Sequence, residues 1–201
     1  MILEIDTHRP NPKKIARIAE ALKNGEVVIY PTDTCYGLGA DIFNKKAIEK
    51  IYQIKGIPKN RPFSFVCSNL SDISRYARVT DFAYRILKRY LPGPYTFILE
   101  GSKQVPKMML TKRKTAGIRI PDHPVCQEIV RLLGNPVIST TASMGDRTFS
   151  DPREMAKVFG KRVAIIADCG IIPPEPSSVI SLANDEPSIL RRGKGSCEDF
   201  E

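Results

Sequence analysis

Short β-branched runs bounded by turn residues alternate, through the first half of this chain, with helices that begin at recognisable caps. Asn11 caps a helix with Pro12 in its first turn, Ile15, Ile18, Ala19 and Leu22 make its apolar stripe, and Gly25 stops it. Asn44 caps a second helix whose Ile48, Ile51 and Tyr52 face a core and which ends at Lys55-Gly56-Ile57-Pro58. Residues 70–76 and 80–90 read as two more helices, the latter closed by Leu91-Pro92-Gly93-Pro94. Strands are expected at 3–5, 27–30, 63–66, 95–99, 116–120 and 137–140, with a helix at 124–133 between the last two. Asp151-Pro152-Arg153-Glu154 reads as a capping box for a helix ending at Gly160, and strands at 163–167, 178–182 and 188–190 finish the chain. This pattern predicts an α/β fold of α+β-like character, one twisted mixed parallel and antiparallel sheet with helices on its faces.

No Ser/Gly/Pro-rich linker divides the 201 residues, so a single domain over 1–201 is expected, with no internal repeat. A chain of this size buries roughly 70% of its unfolded surface without staples. No run of 18 apolar residues and no basic-then-apolar start occurs, which predicts a cytoplasmic protein with no membrane association. The five cysteines are scattered without C-x-x-C spacing and the histidines number two, which argues for reduced thiols and against a protein-held metal. Cys35 has no histidine nearby in sequence to activate it as a nucleophile. A formal charge of +9 favours anionic partners without specifying one.

Immediately after the 27–30 run come Pro31-Thr32-Asp33-Thr34-Cys35-Tyr36-Gly37-Leu38-Gly39. Pro31 ends the ladder, and hydroxyls and a carboxylate just past a strand's carboxyl end read as a ligand loop. Gly37 and Gly39 there suit positive φ or close backbone approach to an anion, and equally an ordinary glycine turn. The familiar phosphate motifs are missing, and cations and hydroxyls at strand ends stand in their place: Lys55, Lys59 and Arg61; Thr115 and Arg119; Ser139 to Ser143; Ser177 and Ser178; Arg191 and Arg192. From Gly101 to Pro121 there is no acidic residue but there are Lys103, Lys107, Lys112, Arg113, Lys114 and Arg119. This basic loop suits nucleic-acid phosphates or a solvated, mobile hairpin tip, and no aromatic residue interleaves to stack a base.

Four of these segments, 31–38, Pro92-Gly93-Pro94-Tyr95-Thr96, 117–124 and Leu190-Arg191-Arg192-Gly193, resemble the YrdC/YciO family in order and spacing over nearly the whole chain. The segments 63–67 and 70–74 and the Ser139-Thr140-Thr141 strand end resemble its YciO branch. The resemblance implies a YrdC/RibB-like fold with a large concave basic cavity. It implies threonylcarbamoyl-AMP synthase-type chemistry, in which threonine, bicarbonate and ATP give threonylcarbamoyl-AMP and pyrophosphate for tRNA adenosine modification. By resemblance, threonine would meet Thr34, Arg119, Ser139 and Ser177. ATP would meet Lys55, Arg61, Thr115, Thr141, Ser143, Ser150 and Arg191, with Lys55 and Arg119 the catalytic pair and Mg2+ arriving with the phosphates. RNA, whether tRNA or duplex, would meet Lys107, Lys112, Arg113 and Lys114.

The chain departs from the synthase pattern around Val66, where a histidine common in that strand is replaced, and in two places that touch the nucleotide. Ile57 stands where Lys-x-Arg has its arginine, and Thr141-Ala142-Ser143 replaces Ser-x-Asn. The expectation is therefore an enzyme-like nucleotide- and RNA-binding protein, its synthase chemistry retained, or weakened by the lost arginine. The alternatives are a non-catalytic duplex-RNA-binding protein acting in RNA or ribosome maturation, and an enzyme acting on another carbamoyl or adenylate compound.

Overall fold

The computed structural model describes residues 1–201. In chain order its elements are β1 (Ile2–Glu4), α1 (Pro12–Lys23), β2 (Val28–Tyr30), β3 (Gly37–Gly39), α2 (Lys45–Lys55), β4 (Ser64–Val66), α3 (Leu70–Tyr76) and α4 (Asp81–Tyr90). They continue with β5 (Tyr95–Glu100), β6 (Thr115–Arg119), α5 (Pro124–Leu133), β7 (Val137–Thr141), β8 (Ser143–Met144), β9 (Arg147–Thr148), α6 (Pro152–Phe159), β10 (Ile165–Asp168), β11 (Ser178–Ser181) and β12 (Ser188–Arg191). Ten strands form one sheet in the order β1-β10-β2-β3-β7-β4-β6-β5-β11-β12, and β8 and β9 pair apart as a small hairpin. The sheet is mixed: β4 and β6 run parallel, whereas β7 is antiparallel to both β3 and β4.

The caps act as their residue types require. Asn11, Asn44 and Thr80 each accept a backbone N–H of the first turn, at 3.0, 3.0 and 3.2 Å. At α6, Asp151 accepts from Arg153 N at 2.8 Å, but Glu154 does not reach back to close a reciprocal box. It lies instead 3.4 Å from Arg147 of the β8–β9 hairpin, an element the sequence pattern did not indicate.

The two faces of the sheet are covered unequally. Leu38, Phe65, Phe97, Ile118 and Ile138 lie on one face and join the larger core, which α2, α3, α4 and α6 complete with Ile48, Ile51, Tyr52, Ile73, Leu87 and Phe159. On the other face a smaller core of Val28, Tyr30, Val66 and Val137 is covered by α1 and α5 through Ile15, Ile18, Leu22, Val125 and Ile129. Because side chains alternate with period 2, Ser64, Ser139, Thr141 and Gly117 point to this second face where the helices end. That uncovered part is the concave surface.

Two readings change in three dimensions. Gly37 and Gly39 are not a positive-φ turn; they form β3, antiparallel to β2 and β7. A Cβ on Gly39 would sit 2.7 Å from the Tyr30 ring and 2.9 Å from Val137, so the glycines make room for that ring. The 101–121 segment is anchored rather than a mobile tip: Val105 and Met109 are buried in the larger core, and residues Lys107–Met109 form a 3-10 turn. Gly39→Ala is expected to destabilise the fold by about 1–3 kcal/mol through overpacking, read as a lower urea midpoint at unchanged slope.

Candidate functional site

On the uncovered face the strand ends enclose a cavity of about 240 Å³. Its wall includes Thr32, Thr34 and Cys35 before β3, Ser64 of β4, Thr96 of β5, Arg119 of β6, Ser139 to Thr141 of β7, Ser177 before β11 and Arg191 of β12. Seven elements thus contribute to a lining that is mainly hydroxyl and guanidinium.

Arg119 is the centre of this arrangement. Its side chain is 94% buried, and Nη2 donates to Asp33 Oδ1 and to Thr34 Oγ1, both at 3.0 Å. Nη1 reaches Ser139 Oγ at 3.5 Å, and Nε is buried without any partner. Asp33 is fixed in turn: its second carboxylate oxygen accepts Asp122 N at 3.0 Å, and its carbonyl accepts Lys194 Nζ at 2.6 Å. Thr32 closes the loop before β3, its Oγ1 donating to Cys35 O at 2.6 Å and accepting Thr34 N and Cys35 N at 3.1 Å.

Two further cations flank the cavity. Lys55 at the end of α2 donates to the Thr141 carbonyl at 2.8 Å and to Ser143 Oγ at 2.7 Å. Burial pulls its pKa down, with the nearby Cys35 thiol opposing. Arg191 donates from Nε and Nη2 to the Ser177 carbonyl at 3.1 and 2.7 Å, and from Nη2 to Ser177 Oγ at 3.2 Å. Burial depresses its pKa first and the positive charge of Arg119 second. Three cations converge while the one carboxylate among them is spent on Arg119, so the cavity favours an anion.

The cavity therefore gathers Thr34, Arg119, Ser139, Ser177, Thr141 and Arg191 of the expected residues, with Lys55 bonded to the Thr141 carbonyl at its rim and to Ser143 beyond it. It does not gather all of them. Thr115 shares the face of Arg119 but lies four residues away along β6, its hydroxyl 2.7 Å from that of Thr111. The Ser150 carbonyl accepts Ile172 N at 3.1 Å. Arg61 is exposed on the turn that carries Pro62 and Phe63 into the wall. Ile57 packs its side chain against the larger core, so the cavity receives nothing from the position where synthases have arginine. Lys107, Lys112, Arg113 and Lys114 lie outside the cavity lining, exposed and without an ion-pair partner within 4.0 Å.

Thr32 and Asp33 are read from the sequence only as part of the ligand loop, and Ser64 and Thr96 only within family-like segments, with no site role assigned to any of them, yet all line the cavity or hold Arg119. A signal for two of them exists, since Ser64 and Thr96 are hydroxyl residues in otherwise apolar strands. Cys35 lies in the wall with its Sγ 3.6 Å from Thr141 Oγ1 and 3.8 Å from Thr34 Oγ1. No histidine lines the cavity, so no thiol–imidazole pair forms there.

Against known proteins, the Sua5/YciO/YrdC model, described as "Telomere recombination", matches residues 20–193. The chain belongs to the Sua5/YciO/YrdC family. YciO of Escherichia coli is 38% identical over 198 residues, covering 96% of each chain, and its crystal structure superimposes with a TM-score of 0.95. A putative threonylcarbamoyl-AMP synthase of Methanocaldococcus jannaschii is 33% identical over 94% of this chain and 92% of its own. Sua5 of P. abyssi, crystallised with L-threonine, has a TM-score of 0.92 at 27% identity, with this chain covering 59% of its length. The family fold is thus present throughout, as a mixed sheet with helices on its faces. No helix is long and apolar enough to cross a membrane.

Removing Asp33 leaves Arg119 buried without a counter-charge. Asp33→Ala is expected to cost about 3–5 kcal/mol in urea unfolding, and Asp33→Ala/Arg119→Met distinctly less. His123, at the start of α5 in the same segment, is buried with Nδ1 unpartnered, and burial pulls its pKa down to about 4. The unfolded chain binds this proton near pH 6.5 and the folded chain only near 4, so stability falls as pH drops through that window. His123→Gln is expected to flatten the melting temperature between pH 6.5 and 5.

Proposed function

We propose that this chain binds an amino acid and ATP in the cavity and carries out threonylcarbamoyl-AMP synthase-type chemistry. The observation that carries the reading is the buried Arg119 guanidinium with its Nε unpartnered, set among Thr34, Ser139 and Ser177. A buried donor without a partner is costly, and an amino-acid carboxylate in the cavity would satisfy it. The threonine in the Sua5 crystal structure and the synthase relatives support the same choice of ligand.

In this reading the amine of threonine takes up bicarbonate, with loss of water, to give a carbamate. One carbamate oxygen then attacks the α-phosphorus of ATP and pyrophosphate leaves. The step needs positioning and neutralisation of developing charge rather than a side-chain nucleophile, consistent with a wall of hydroxyls and cations and no thiol–imidazole pair. Lys55 and Arg191 stand on either side to take the phosphates, and Mg2+ enters with the nucleotide as part of the substrate. Ile57 removes one charge-assisted bond, worth about 1.5–3 kcal/mol, so nucleotide affinity roughly tenfold to a hundredfold below that of an arginine-bearing synthase is expected. RNA belongs to the same reading. The exposed, unpaired Lys107, Lys112, Arg113 and Lys114 support phosphate contact, whether the RNA is a substrate or, if the cavity is inert, the main partner.

The decisive measurement is pyrophosphate release with ATP, threonine and bicarbonate. Release that requires all three and falls at least tenfold in Arg119→Ala is the expected result. A rate equal to that of Arg119→Ala would overturn the catalytic reading. Thermal stabilisation by millimolar ATP, increased by threonine, checks binding separately.

A further inference from the structure

On the far side of the sheet from the cavity, where α2 packs, a groove of about 310 Å³ runs between the start of α2 and the 101–114 loop. Phe43, Pro106 and Met108 form its apolar wall, and Lys45 and Lys107 stand in its lining. Phe43 is 48% exposed, far more than a core aromatic of this fold. It is nevertheless held: its N–H donates to Asp41 Oδ1 at 2.9 Å, and its ring rests tilted on Tyr76, centroids 6.2 Å apart. One part of the ring is thus anchored while the rest meets solvent.

This changes what the basic loop can recognise. No aromatic interleaves with its cations in sequence, but folding sets Phe43 in one groove with Lys107 of that loop. We infer that this groove binds an unpaired nucleotide of single-stranded RNA, its base on Phe43 and the adjoining phosphates on Lys45 and Lys107. The inference builds on the RNA-binding part of the reading above and is independent of the cavity chemistry.

Charge complementarity selects this occupant. Lys45, Lys46, Lys103 and Lys107 are exposed and make no ion pair, and no acidic residue interrupts 101–114. Asp41, the nearest carboxylate in sequence, is buried with its oxygens taken by Phe43 N and by Asn135 Nδ2 at 2.8 Å. A planar apolar body joined to a chain of negative charges matches a half-exposed aromatic ring flanked by free lysines. A peptide would need main-chain partners. The groove is lined by residues outside the sheet and offers no strand edge for them. A duplex would keep its bases stacked and leave Phe43 unused.

The test is fluorescence anisotropy of a labelled 12-nucleotide oligouridylate and of a 12-base-pair RNA duplex, at low and moderate salt. It uses the whole protein and its Phe43→Ala, Phe43→Tyr and Lys107→Ala variants, each checked for an unchanged melting temperature. Phe43→Ala is expected to weaken the single strand roughly tenfold and leave the duplex unchanged, Phe43→Tyr to restore binding, and Lys107→Ala to lower the salt slope. Duplex binding with a single-strand affinity indifferent to Phe43→Ala would overturn the groove while leaving RNA binding in place. No binding of either RNA at low salt would overturn both. Tighter, Phe43-dependent binding of an acidic phenylalanine-containing peptide would reassign the groove to a protein partner.

Discussion

A guanidinium removed from water is tolerated only where its charge and donors are met, and in this protein two separate pieces of backbone are arranged to meet one. Arg119 projects from the end of β6 to Asp33 and Thr34, which precede β3, and towards Ser139 of β7. Asp33 is then gripped by the backbone of Asp122 and by Lys194 near the carboxyl terminus. Losing the Asp33 carboxylate would leave a buried unpaired charge, and the other contacts hold that carboxylate and the guanidinium in place. The remaining donor, Nε, is buried without a partner, and the proposed binding of an anion rests on it.

The cavity around Arg119 exists because the helices cover the sheet unequally. One face is sealed by α2, α3, α4 and α6 over the larger core, and the other is sealed only where α1 and α5 reach. Past their edge the strands change composition, and Ser64, Thr96, Ser139 and Thr141 replace the aliphatic residues a covering helix would require. Gly117 keeps the floor low there, since a Cβ would lie 2.4 Å from Ser64 Oγ and 3.1 Å from Thr96 Cγ2. The hydrophobic effect therefore sets the extent of the site as well as the stability of the fold.

Much of this was legible from local chemistry. Helices announced themselves through caps and apolar stripes, as at Asn11 with Ile15, Ile18 and Leu22, because both signals lie within a few residues of each other. The hydroxyl- and carboxylate-rich segment after β2 was recognisable as a ligand loop for the same reason. Its glycines were misread: the space they leave is filled by the ring of Tyr30, which reaches them only through strand pairing. The role of Asp33 within that loop, as the counter-ion of Arg119, was not legible because its partner lies 86 residues away. Phe43 escaped notice beside the basic loop because more than fifty residues separate it from Lys107 in sequence, and only the packing of α2 and α3 against the sheet closes that distance.

The amino-acid sequence by itself determined the order of the main helices and strands, with β3 and the β8–β9 hairpin excepted, the mixed α/β class, the family resemblance and the kinds of side chain available for an anion site. These follow from periodicity, capping and residue chemistry, which act over one or two turns of chain. The tertiary structure decided which of those side chains meet. It brought Thr34, Arg119, Ser139, Ser177 and Arg191 to one cavity, left Thr115 and Ser150 out of its wall, and packed a half-buried Ile57 against the core. The physical reason is that strand register and helix coverage are set by burying apolar area over the whole sheet, a global condition that no local window of sequence contains.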